Sequence, residues 1–240
     1  MAKLKCVGSS SSGNCYLIEC KDEKLILELG VSWKNIVESL KYEINNVVGA
    51  LCSHRWRHKD HSIAIPNALK LGLKVYSCKD VQTVYKDVKV LEKGLKTQIG
   101  SFKVQPIPLK HSVECYGFII EHSEIGKLLF YTDCCEFKYK VKGVNHILAE
   151  ANHNEELIID NIINDEASRS LSENHMEINN TIEAIKANYS SKLVNIVLIH
   201  LSSGNANPKT FVKQVKNEIG LNNVFVAKKG FELELNKEDF

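Results

Sequence analysis

Apolar and polar positions in the first thirty residues come in short bursts. Residues 4–7, 15–19 and 24–29 read as three strands. The first two are separated by the polar loop Gly8-Ser9-Ser10-Ser11-Ser12-Gly13-Asn14, and the last two by a turn near Asp22 and Glu23. Short strands joined by small-residue turns favour antiparallel pairing. After Gly30 the period changes. Trp33, Ile36, Val37 and Leu40 recur at helical spacing, which predicts a helix over residues 32–40. Residues 47–52 are an unbroken apolar run and read as a buried strand, followed by a helix over 62–71 that Gly72 ends. Further strands are expected over 74–77, 102–106, 116–121, 127–132, 144–149, 193–199, 224–227 and 231–235. Helices are expected over 81–85, 155–163, 178–188 and 208–219, the first of them short. The order is strands, then strand–helix alternation, then two helices, then strand–helix–strand. It predicts an α/β fold in which two sheets face each other and helices cover them outside, a four-layer αββα sandwich. No repeat or low-complexity linker interrupts the pattern. We therefore expect a single domain over 1–240, with a helical insertion at about 154–189.

Composition narrows the function classes. The 240 residues are 44% hydrophobic and 25% charged, the balance of an ordinary globular protein. A net charge of +2 creates no strong field for polyanions, so an extended nucleic-acid partner is disfavoured. The eight cysteines form no CxxC pair and several fall in apolar runs, so they read as reduced, buried thiols. No secretory core opens the chain, and a cytoplasmic location is expected. No apolar run approaches the ~18–20 residues of a membrane span.

The apolar run 47–52 leads into Ser53-His54-Arg55-Trp56-Arg57-His58-Lys59-Asp60-His61, with three histidines and an aspartate in nine residues. Imidazole and carboxylate donors together suit Zn, Mn or Fe rather than Ca or Mg. Polar ligand-type residues follow apolar runs at four more places: His111, Asp133, the group from Glu150 to His153, and His200. One such histidine is more often structural. Five such places supply the seven or so ligands of a carboxylate-bridged binuclear centre.

With these residues in view, the chain resembles the metallo-β-lactamase-fold hydrolases over almost its whole length. His58-Lys59-Asp60-His61 matches the second half of that superfamily's His-x-His-x-Asp-His signature. His111, Asp133 in Tyr131-Thr132-Asp133, and His200 in Leu198-Ile199-His200-Leu201-Ser202 match its later anchors. The serine-rich loop at 8–14 and Glu150-Ala151-Asn152-His153-Asn154 resemble a small phosphodiesterase branch that includes bacterial and phage enzymes. Two departures stand out. Glu28-Leu29-Gly30 replaces the usual Asp-x-Gly turn, whose acid supports the site rather than binding metal. Trp56 stands where the first histidine of the signature belongs, so Arg55-Trp56 reads as a two-residue insertion after His54.

The resemblance implies two divalent cations, Zn with Mn as the alternative. His54, His58 and His111 would hold one ion and Asp60, His61 and His200 the other, with Asp133 bridging. It implies a water activated between the ions for in-line attack on phosphorus, with Asp60 orienting it. It also implies relatives such as tRNase Z-like nucleases and phage anti-Pycsar enzymes that hydrolyse cyclic nucleotides. The expected substrate is a small phosphodiester, specifically a cyclic mononucleotide. His175, in the 154–189 insertion, is a candidate acid or phosphate contact, in its own subunit or across a homodimer. Ser202 and Asn205 are candidate phosphate contacts or caps of the following helix. His122 and His146 read as structural or surface residues, and Trp33 as part of the core. Two rivals remain open: a DNA or RNA nuclease, for which Lys138-Tyr139-Lys140-Val141-Lys142 could track a backbone, and a nucleotide-sequestering protein in which Trp56 has replaced a ligand.

Overall fold

A computed structural model of the chain describes residues 2–55, 62–155 and 174–237. The first sheet contains β1 (Lys3–Gly8), β2 (Cys15–Glu19), β3 (Lys24–Leu27), β4 (Val47–Leu51), β5 (Val75–Ser77) and β6 (Lys89–Val90). The second contains β7 (Thr97–Ile99), β8 (Phe102–Leu109), β9 (Cys115–His122), β10 (Gly126–Tyr131), β11 (His146–Glu150), β12 (Asn195–Ile199) and β13 (Val224–Val226). The last strand, β14 (Glu232–Glu234), returns to the first sheet beside β1. The orders are β14-β1-β2-β3-β4-β5-β6 and β13-β12-β11-β10-β9-β8-β7.

Each sheet is half antiparallel and half parallel. β1, β2 and β3 pair antiparallel, as the turn-rich opening of the sequence predicts, and β3 through β6 run parallel. In the second sheet β7 through β10 are antiparallel and β10 through β13 parallel. Parallel neighbours need long crossovers. Helices α1 (Trp33–Ser39), α2 (Ile65–Lys70) and α3 (Lys79–Val84) lie in those of the first sheet, and α4 (Ile178–Ala187) and α5 (Pro208–Ile219) in those of the second. Strands β11 and β12 are buried at every position, which explains the apolar runs 147–149 and 196–199 within them.

One core fills the space between the sheets, where the rings of Tyr16 and Phe130 meet edge-on at 5.9 Å. A second lies under α4 and α5, with Ile178, Ile182, Phe211 and Val215 packed on Ile147, Ile196 and Leu198. The architecture is the expected αββα sandwich.

Several boundaries differ from the sequence reading. β6 and β7 were not expected: they have two and three residues, too short for alternation to register. β8 runs on through Pro106 and Pro108 to Leu109, because its partner β9 pairs along its full length. The helix expected over 155–163 lies, past Glu155, outside the described residues. Helices α4 and α5 lie where the helical period placed them. All eight cysteines are free thiols, and only Cys135 is not buried. Among the described residues no helix is long and apolar enough to cross a membrane.

Candidate metal centre

In a parallel sheet the carboxyl ends of neighbouring strands lie together, and here those ends carry the chemistry. Glu28 follows β3, Ser53 and His54 follow β4, Thr132 and Asp133 follow β10, Glu150 closes β11, and His200 follows β12. His111 comes two residues after β8.

These residues converge from both sheets. The His54 and His111 rings are 5.0 Å apart and nearly perpendicular. His111 and His175 are 6.3 Å apart, and His175 and His200 5.1 Å. One ligand atom each from Asp133, His175 and His200 all lie within 4.8 Å of one another. Four imidazoles and a carboxylate therefore line one place, a donor set suited to a divalent transition metal. His54, Asp133 and His200 are almost wholly buried, which keeps water from competing with them.

Neighbouring side chains hold the ligands in place, as metal-binding histidines require. Ser53 Oγ is 2.8 Å from His54 Nδ1, and the Ser53 N–H donates to Glu28 Oε1 at 2.9 Å. The glutamate in the departed Glu-x-Gly turn thus fixes the backbone that presents His54. At His200, Asn14 Nδ2, Thr132 Oγ1 and Asp133 Oδ2 approach Nδ1 at 2.7, 3.1 and 3.3 Å. The His200 N–H donates to Ser9 Oγ at 2.9 Å. The serine-rich loop therefore serves His200 across more than 180 residues of sequence. Glu150 accepts the Cys134 N–H at 3.0 Å through one oxygen and meets His175 Nδ1 at 2.6 Å through the other.

The electrostatics follow from this packing. Burial pulls His200 down, but the Asp133 carboxylate, with help from Glu150 and Glu28, outweighs it and raises the imidazole to about 9. Burial likewise opposes, and the Glu150 carboxylate overcomes, at His175, whose pKa is raised. At His111 burial prevails over the pull of Asp133, and the pKa is lowered. Burial, with the Asp133 charge added, pushes Glu28 up to about 8. Carboxylates and imidazoles this close share protons where they would otherwise share cations.

Of the expected site residues, His54, His111, Asp133, His175 and His200 come together. His58, Asp60 and His61, together with Trp56, lie outside the described residues. Ser202 and Asn205 are part-exposed on the turn after His200. Neither caps the next helix: that role belongs to Asn207, whose side chain accepts the Thr210 N–H. The capping alternative is thereby corrected, since the cap must sit directly before Pro208. His153 is buried, and its carbonyl accepts the Ile178 N–H at the start of α4. The sequence reading missed Asn14, Ser53 and Thr132 as ligand-orienting groups. For two of them the signal was adjacency, since Ser53 and Thr132 directly precede His54 and Asp133; Asn14 gave none, because its partner His200 is 186 residues away.

No protein-family model and no curated protein sequence matches the chain. Solved structures do. The metallo-β-lactamase-fold protein YhfI from Bacillus subtilis superposes with a TM-score of 0.72 at 17% identity, covering 98% of this chain and 100% of that one. A diphosphatase of the PhnP family gives 0.68 at 13% identity, with 98% of each chain covered. The short form of human tRNase Z gives 0.61 at 12%, covering 97% of this chain and 99% of that one. The chain has the metallo-β-lactamase fold.

Proposed function

We propose that this protein is a metal-dependent phosphodiesterase whose substrate is a small phosphodiester, specifically a cyclic mononucleotide. The observation that carries the reading is the meeting of His54, His111, His175, His200 and Asp133 at one end of the two sheets. Two fold neighbours, a diphosphatase and a tRNase, are in keeping with phosphorus chemistry, while an isothiocyanate hydrolase shows that the same fold carries another hydrolysis. A net charge of +2 favours a small anion over a long strand.

The donor set fits two divalent cations, Zn or Mn. In this reading His54 and His111 would hold one ion with His58, and His200 the other with Asp60 and His61, with Asp133 available to both. Such ions would supply Lewis acidity toward the phosphoryl oxygens and lower the pKa of water to about 7.

The chain's own residues do the rest. Ser53 and Glu28 orient His54, and Asn14 and Thr132 orient His200, so both imidazoles are set before substrate arrives. His175 bonds Glu150 through Nδ1, and the Glu150 carboxylate, outweighing burial, raises its pKa and so favours the form protonated at both nitrogens. The Nε2 proton can pass to the leaving alkoxide as the P–O bond breaks. His175 is one-eighth exposed, enough to face a substrate.

The nuclease reading has weaker support. In the basic run at 138–142, Lys138 is held by Glu136 at 2.7 Å, and Glu136 also pairs with Lys110 at 3.5 Å. The run is thus partly neutralised. Assays of the metal-loaded protein with cyclic mononucleotides and with single-stranded DNA and RNA separate the readings. Turnover of cyclic mononucleotides supports the proposal, turnover of nucleic acid alone replaces it with a nuclease, and binding without turnover replaces it with a sequestering protein.

A further inference from the structure

A second group of metal-type ligands lies at the opposite end of the sandwich. Cys20 directly follows β2, and His122 is the last residue of β9. Asn14 and Cys115, at the other ends of these strands, border the candidate centre. With a rise of about 3.4 Å per residue, the two places are separated by roughly 20 Å. One ligand atom each from Cys20, His122 and Glu124 all lie within 4.8 Å of one another. Cys20 and His122 are more than nine-tenths buried.

The arrangement has the features of a built site. Cys20 Sγ is 3.3 Å from His122 Nδ1. Two ligands of a tetrahedral zinc ion, at about 2.3 Å for sulfur and 2.0 Å for nitrogen, sit about 3.5 Å apart, so neither atom needs to travel. The other ring nitrogen, Nε2, is 2.7 Å from Ser101 Oγ, which donates to Glu23 Oε2 at 2.6 Å. That relay places the proton on Nε2 and leaves the Nδ1 lone pair facing the sulfur and the Glu124 N–H, which donates to it at 3.1 Å and which a bound cation would displace. A carboxylate behind a metal-binding imidazole fixes its tautomer in the same way. The ring is also packed against Phe102, with centroids 4.6 Å apart. Glu124 is drawn to the cysteine side by the Lys21 N–H, which donates to its Oε1 at 3.1 Å. A cleft of about 580 Å³, lined in part by Ser101, Lys103, His122, Lys127 and Lys192, opens beside the imidazole.

We propose that Cys20, His122 and Glu124 form a second metal site that takes a zinc-class cation and ties the two sheets together at the end remote from the candidate active centre. Cys20 comes from the first sheet and His122 and Glu124 from the second, so one ion would crosslink β2 to the β9–β10 turn. Thiolate, imidazole and carboxylate suit Zn2+ or Co2+ and disfavour Mg2+ and Ca2+. Binding replaces the thiol proton with the cation and releases that proton to solvent. Three protein ligands leave a fourth position for water.

Co2+ loading of the full-length protein tests this, because thiolate ligation gives an intense near-ultraviolet charge-transfer band that imidazole and carboxylate ligation do not. The band is expected in the wild-type protein and expected to vanish in Cys20→Ser and in His122→Gln. It should persist in Cys135→Ser. Glu124→Gln and Glu23→Gln are expected to weaken the Co2+ affinity of this band by about tenfold each, the latter through the relay. Absence of the band, or its survival in Cys20→Ser or His122→Gln, overturns the site. Unchanged affinity in Glu124→Gln overturns the three-ligand assignment. If Cys20→Ser does not fold by circular dichroism, His122→Gln and Glu124→Gln decide the same question. The result is independent of phosphodiesterase activity, since the band reports sulfur ligation alone.

Discussion

Asp133 and His200 both hold left-handed backbone at φ of 56°, and Glu28 at 64°. For residues with a side chain at Cβ this conformation costs of order 1–3 kcal/mol, and it persists only where the surroundings impose it. All three are buried, follow parallel strands, and face the same place. The left-handed turn breaks the alternation by which a regular strand would send successive side chains to opposite faces of the sheet. Glu28 gives a sharp test of the supporting role. In the metal-free chain burial raises it to about 8, so at neutral pH it carries a proton and glutamine is a close mimic. Glu28→Gln is expected to keep near wild-type stability and activity, because the amide oxygen still accepts the Ser53 N–H. Glu28→Ala is expected to cost about 1–3 kcal/mol by leaving that buried N–H unmet, and to lower turnover as His54 loses its support. Urea melts and steady-state rates check both. The acids and imidazoles were legible as strand-end residues. Their left-handed backbone was not, since only the packed sheet end makes that conformation the better one.

The loop at 8–14 is the element on which the His200 side of the centre rests. Gly13 has a φ of 138°, and a Cβ there would sit 1.8 Å from the Gly30 carbonyl oxygen. The contact exists because the Gly30 N–H donates to the Asn14 carbonyl at 3.0 Å, drawing the loop against the turn after β3. Gly13→Ala is expected to destabilise the protein by about 1–3 kcal/mol or more through this overlap, and to displace Asn14 from His200. Thermal melts and metal affinity, both reduced, report the two effects. The sequence marked this stretch as a tight polar loop and, by resemblance, as the opening of a small phosphodiesterase branch. Its task was not readable from composition, because the partner of Asn14 lies 186 residues away. The helices were more legible than the loops. α5 has Pro208 at its start and Gly220 in left-handed conformation at its end, both local signals.

At the scale of the whole molecule, the two sheets contribute complementary halves. The first brings Asn14, Glu28, Ser53 and His54, and the second His111, Asp133, Glu150 and His200. The fold class was legible because alternating strand and helix periods survive in a single chain. The pairing of one sheet's ligands with the other's was legible only through resemblance, since no local pattern says which strand ends meet. On the first sheet's side His54 itself stands beside His111, at 5.0 Å. The most direct test of the account is the rate of cyclic mononucleotide hydrolysis by the Zn- or Mn-loaded protein, wild type beside Asp133→Asn, before and after chelation. The expected result is turnover in the wild type that chelation abolishes and metal restores, with Asp133→Asn slower by at least about a hundredfold. Turnover that survives both chelation and Asp133→Asn, or none in the fully loaded wild type, would contradict it.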